Sequence, residues 1–208
     1  MPFSGMTERK KNPTATRARL LQSAGDEFCR YGFQAARLNA IVEHSGITKG
    51  SLFHHFNGKD DLALQWLQET LPTMLESQWL QPLEQGADPL DVLKNILREQ
   101  TRTIENQSAR EFYGSPLATL AASITPEDLA LQEAMRELQL TWHRAVSEAL
   151  ARGQKERLVH SAIQPSDEAH LIISLSIGLE LHVKSHGTTV LPGFLRSALA
   201  YLDTLRPA

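Results

Sequence analysis

The chain has 208 residues, 41% apolar and 22% charged, enough to bury a core and too ordinary in composition for collagen-like, low-complexity or disordered classes. No stretch approaches the roughly 18 apolar residues of a membrane span, the polar start lacks a secretory apolar core, and the lone Cys29 makes no internal disulfide or multi-cysteine metal site. A cytoplasmic location with no membrane partner follows as the expectation. The net charge of −3 argues against nucleic acid only until it is divided. Residues 1–60 carry nine Lys/Arg against five acids, and the remainder 12 against 19, so a +4 head sits on a −7 body.

In chain order, residues 1–13, with Arg9, Lys10 and Lys11, read as a basic flexible tail. Leu20, Leu21, Ala24 and Phe28 share one face of a first helix that stops at Gly32, with Phe33 placed to pack back on it. A short helix then reaches Gly46, and a second begins after the cap Thr48. A longer helix starts near Lys59 and carries Leu62, Trp66, Leu67 and Leu71, with a kink or early end expected at Pro72. Asp88-Pro89 opens the next, whose stripe is Leu90, Leu93, Ile96, Leu97 and Ile104. Thr125-Pro126 reads as cap and first helical residue of a helix running to Gly153 through Leu131, Met135, Leu138 and Trp142. Ser166-Asp167-Glu168 opens a helix that is apolar from Leu171 to Val183, and Leu195, Leu199, Leu202 and Leu205 mark a last one. No segment alternates as a strand does, so the fold class is all-α, with about nine helices.

The most informative stretch is Leu38–Phe56. Ile41, Ile47 and Leu52 fall where two helices of a helix-turn-helix bury side chains against each other, and Gly46 falls at the tight turn. The second helix is too short and polar for a core element. Its first turn, Lys49-Gly50-Ser51, leaves small side chains and free amides for close approach to a phosphate or base edge.

Residues from about 14 to 62 resemble the DNA-binding domain of the TetR family of transcriptional regulators. The matching pieces are Ala24-Gly25-Asp26-Glu27-Phe28 with Tyr31-Gly32-Phe33, Ile41 through Gly46, Ile47 through Phe56, and Lys59 with Leu62. The resemblance implies a helix-turn-helix domain at 14–60 and a ligand-binding and dimerisation domain at 61–208. It implies that Thr48, Lys49, Gly50, Ser51, His54 and Lys59 face DNA. Lys59 opposes the dipole of its own helix start, which also suits an external phosphate. Four positions depart from the family pattern: Phe53 replaces a usual tyrosine, Val42 and Ser45 replace small apolar residues, and Arg37 stands near a usual Ser/Thr cap, where it becomes a further DNA candidate.

The family pattern implies a cavity among the middle helices, for which Trp79, Phe112, Tyr113, Leu117, Trp142 and His143 are candidate ligand contacts. It implies a homodimer built from the last two helices. Independently, the run from Leu171 to Leu181 is apolar in nearly every direction, and Ser174 and Gly178 form a small-residue seam. Ser174, Gly178, Leu181, Leu195, Leu199 and Leu202 are the candidate interface. Phe112 to Leu117 resembles a Gly-Cys-Pro-Leu segment of some family branches, but Ser115 stands at the cysteine, excluding cysteine oxidation there. His182 and His186 have metal-ligand spacing without a third ligand, so no metal is expected. There is no Gly-x-Ser-x-Gly, phosphate-cradling loop or His-Glu-x-x-His, and no catalytic residue or cofactor is assigned. The expected function is a regulator binding double-stranded operator DNA as a repressor and released by a small-molecule effector. The alternatives are an activator or ligand-independent regulator, or a helical binding protein or enzyme with a vestigial head.

Overall fold

The computed structural model describes residues 12–107, 112 and 114–207. Arg9, Lys10, Lys11 and Tyr113 lie outside the described residues. Everything regular among the described residues is helical, in the order α1 (Pro13–Ala35), α2 (Leu38–Ser45), α3 (Lys49–His55), α4 (Lys59–Leu75), α5 (Gln81–Gln85), α6 (Pro89–Asn106), α7 (Pro116–Ala121), α8 (Leu129–Lys155), α9 (Pro165–His186) and α10 (Leu191–Thr204). A π-helical turn at Glu76–Leu80 fuses α4 and α5 into one rod, leaving nine helices among the described residues.

Helices α1 to α3 form the head. The break at Gly32 is real: its φ of 76° interrupts α1, and Phe33 folds back to place its ring 6.1 Å from Phe28. The head is not a separate body. Helix α1 packs on α2, α4 and α7, and one continuous apolar core runs from Leu20 through Leu52, Leu62 and Trp66 to Leu205. Trp66 lies so close to Gly25 that a Cβ there would stand 2.4 Å from its indole nitrogen. At its other end α1 is bonded to the body by Phe33 N, which donates to Ser123 Oγ at 2.8 Å just after α7.

In the body, α8 crosses α9 and α4, while α6 packs on α10. Asp88 caps α6 by accepting from Leu90 N at 2.9 Å, as its sequence predicts. Arg206 reaches back to Asp88 at 2.8 Å and Asp91 at 2.6 Å, and Lys94 pairs with Asp203, so α10 is clamped to α6 by charge as well as by packing.

Three expectations about helix ends are corrected. The rod does not end at Pro72, because Leu67, Leu71, Leu75 and Trp79 are buried on both sides of it and their packing outweighs one missing backbone bond. Thr125-Pro126 does not start α8. Asp128 folds back to accept from Thr125 N at 2.7 Å, and the helix begins at Leu129. Gly153 does not stop α8; it stays helical because Pro89 and Val159 sit 2.6 Å from where a Cβ would be, and the left-handed residue after the helix is Arg157, with φ of 61°.

Candidate functional site

The head presents a complete helix-turn-helix. Gly46 adopts the left-handed conformation, with φ of 63° and ψ of 25°, and closes α2. Thr48 caps α3 by accepting from Ser51 N at 3.2 Å. Ile41 and Leu52 are fully buried between the helices, and Ile47 packs partly against the same core. Ser45, in place of a small apolar residue, is accommodated because its hydroxyl donates to Val42 O at 2.9 Å and accepts from Ile47 N. Burial of that face turns the other outward: Arg37, Thr48, Lys49, Gly50, Phe53 and His54 are exposed and Ser51 is half-buried. Gly50 is the informative member. A Cβ there meets nothing within 4 Å among the described residues, so none of these neighbours requires a glycine.

Lys59 is corrected. Its ammonium donates to three carbonyls at the end of α1, Phe33 O and Gln34 O at 3.0 Å and Ala36 O at 3.4 Å, and lies 4.8 Å from the Phe33 ring centre. All three protons are taken up, and the positive charge sits where the α1 dipole is negative. Lys59 therefore joins α1 to α4 instead of standing free for an external phosphate. Lys59→Ala is expected to lower stability by about 2–3 kcal/mol, seen as a drop of several degrees in Tm without DNA present; an unchanged Tm would restore the phosphate assignment.

Below the head a cavity of about 780 Å³ opens between α1, the α4–α5 rod, α6, α8, α9 and the segment leading into α7. Of the candidate ligand contacts, Trp79, Phe112, Leu117 and Trp142 line it. The two indoles meet edge to face at 4.7 Å and are each 5% exposed, while Trp142 Nε1 has no hydrogen-bond partner among the described residues. His143 is corrected: it is absent from the lining and instead stacks on His170 at 4.1 Å, with Nε2 3.0 Å from Ser166 O. Adjacent helical residues diverge by about 100°, so α8 can turn only one of the pair inward.

The polar part of the wall was not foreseen. Gln100 Nε2 donates to Glu180 Oε1 at 2.8 Å and to Ser176 O at 3.2 Å, and its Oε1 accepts from Ser176 Oγ at 3.1 Å. These bonds fix which way the amide faces. Burial pushes the Glu180 carboxyl above its ordinary range, and hydrogen bonds from Gln100 and Ser115 offset this only in part. The one available signal was Glu180 itself, the single acid within the apolar run Leu171–Val183. Cys29 also lines the wall, and burial pushes its thiol up to about 12, which makes it a poor nucleophile.

Residues 20–65 match the family model described as bacterial regulatory proteins, tetR family. That match covers the head alone, and over it the chain is similar to the TetR family. Over 108 residues it is 31% identical to an uncharacterized HTH-type transcriptional regulator, YxaF of Bacillus subtilis, covering 51% of this chain and 55% of that one. Over 98 residues it is 30% identical to the HTH-type transcriptional repressor KstR2 of Mycolicibacterium smegmatis, covering 47% of each. The matches thus span about half the length of these curated relatives. A structural neighbour is the TetR-family regulator CifR, solved as a cysteine mutant with 26 bp operator DNA; TM-score 0.76, 22% identity, 94% of this chain and 98% of that one. That likeness extends the TetR-family fold over the body, where sequence similarity fades.

At the C-terminal face of the chain, the structure divides the expected residues. On α9 the buried face is Ala169, Ile172, Ser176, Leu179 and Val183. The opposite face carries exposed Leu171, Ser174, Gly178 and Leu181, the last 57% exposed, and a Cβ at Gly178 would meet nothing within 4 Å. Leu195 and Leu199 on α10 are half-buried. Leu202 is corrected: at 1% exposure it belongs to the subunit's own core and has no surface to offer a partner. His182 and His186 stack at 4.4 Å, and no metal-binding group of three His, Cys, Asp or Glu residues occurs among the described residues.

Proposed function

We propose that the chain is a homodimeric, cytoplasmic transcriptional repressor whose two α3 helices read a near-palindromic operator and which a small effector in the cavity releases. The observation that carries this reading is the outward face of α3, where Gly50 stands in open space beside Lys49 and Ser51. A glycine weakens a helix by up to about 1 kcal/mol. Its use where the subunit leaves room suits a base edge or phosphate that must come close. Arg37, Thr48, Lys49, Ser51 and His54 complete the proposed DNA surface. The repressor reading is supported by the name of the KstR2 relative, and operator binding by the DNA complex of CifR.

Release needs a physical link between cavity and head. The segment Phe112–Leu117 lines the cavity and leads into α7, and Ser123 just beyond α7 bonds Phe33 at the end of α1. Helix α1 itself contributes Gln22, Asp26 and Cys29 to the cavity wall. An effector that fits better when α1 and α7 have shifted favours the DNA-incompetent spacing of the two heads; one that binds both states equally shifts nothing.

Fluorescence anisotropy of duplexes from the region upstream of the chain's own gene tests this. The expected result is a dissociation constant on the order of 10⁻⁸ M at physiological salt, at least about 10³-fold tighter than for random DNA. Equal affinity for operator candidates and random duplexes would overturn the reading.

A further inference from the structure

Of the three features the function leaves open, the exposed His182/His186 pair lacks a third ligand, and the half-buried Cys29 thiol is unreactive. The cavity wall carries an inference of its own. Its chemistry is lopsided. Asp26, Glu99 and Glu180 line it, and no lysine or arginine does so among the described residues. Asp26 and Glu99 are exposed, while Glu180 is set deeper and accepts from Gln100, whose amide is itself fixed by Ser176. Across the same cavity stands the Trp79–Trp142 pair, its rings meeting edge to face at 4.7 Å.

We propose that the cavity binds a small organic cation: a protonated amine that donates to Glu180 and an apolar ring system lying against Trp79 and Trp142. A carboxylate removed from water without a cation is costly, and a cation brought to it relieves that cost. Tryptophan faces attract cations and flat apolar rings alike. The three carboxylates make the cavity mouth attractive to positive ligands and repellent to anions. A volume of about 780 Å³ suits a molecule of drug size.

The inference rests on the proposed effector site and names its ligand, but the binding titrations that test it use no DNA, so the two readings fail separately. Three probes share one skeleton: 6-methoxy-2-naphthylmethylamine, the corresponding alcohol, and 6-methoxy-2-naphthoate. Calorimetric titration of the full chain at pH 7 is expected to rank amine over alcohol by about tenfold or more, with the carboxylate weakest. Glu180→Gln keeps the shape and an acceptor for Gln100, and should bring the amine down to the alcohol's affinity while leaving the alcohol unchanged. Because the folded protein favours the protonated Glu180, the stability linked to that proton is full below the ordinary glutamate range and lost as pH rises through the raised value. Glu180→Gln should therefore melt no lower than the parent at pH 8, which separates lost recognition from lost fold.

An alcohol or carboxylate that binds as well as the amine, an amine affinity untouched by Glu180→Gln, or no binding by any probe at millimolar concentration would overturn the proposal. Tight amine binding that leaves the operator complex intact would uphold this ligand chemistry and count against effector release. Preferential binding of the neutral probe with release of DNA would do the reverse.

Discussion

Gly178→Glu is expected to turn the proposed dimer into a monomer and to weaken operator binding by about 10²-fold or more. The residue lies in the middle of α9 on the face where Leu171, Ser174 and Leu181 are exposed, and open space surrounds the position of its missing Cβ. Within one subunit the substitution strains nothing, and replacing a mid-helix glycine favours the helix. All of the expected damage therefore falls on association. A charge placed on an apolar contact between two α9 helices must be buried unpaired or prevent the contact. Losing the dimer loses the second head, and with it the effective-concentration gain of two linked half-sites. Sedimentation velocity reads the first effect and anisotropy the second, with circular dichroism confirming intact helices. A variant that remains dimeric would remove α9 from the proposed interface.

Gly50→Leu should separate DNA binding from folding in the head. The side chain enters open space on the first turn of α3, so Tm should hold or rise slightly. Operator affinity should nonetheless fall by about 10- to 100-fold, because the added atoms occupy the gap that a base edge would fill. Random-sequence binding, dominated by phosphate contacts, should fall much less. Unchanged operator affinity would mean that α3 is not seated as proposed and that Gly50 has no role in recognition.

What the sequence made legible was local. Gly46, Thr48 and Asp88 act within three or four residues of themselves, through a left-handed conformation or a side chain capping its own helix, and these positions behave as their neighbours predict. The stripes of α1, α4 and α6 were likewise visible, since period and burial are two readings of one pattern. Misreadings arose where a partner is remote. Lys59 looked available because the carbonyls it binds lie 23 to 26 residues earlier. Gln100 gave no sign of orienting Glu180, which is 80 residues away. Leu202 carried the same leucine spacing as an interface residue, and only the position of α6 decides that it faces inward. At Thr125-Pro126 two capping signals competed, and Asp128 prevailed because it could satisfy the Thr125 amide and hydroxyl together.

The tie between Trp66 and Gly25, with the bonds from Lys59 and Ser123 to the end of α1, bears on how the molecule comes apart. Head and cavity share one apolar core and one helix, so neither can melt while the other stays packed. Heating should give a single calorimetric transition whose van't Hoff and calorimetric enthalpies, reckoned per cooperative unit, agree. A fragment ending at residue 60 would lack Trp66 and Ser123 and expose Phe28, and would not hold the recognition helix in register by itself. A ligand that stiffens the cavity must then raise the melting temperature of the head by the same amount.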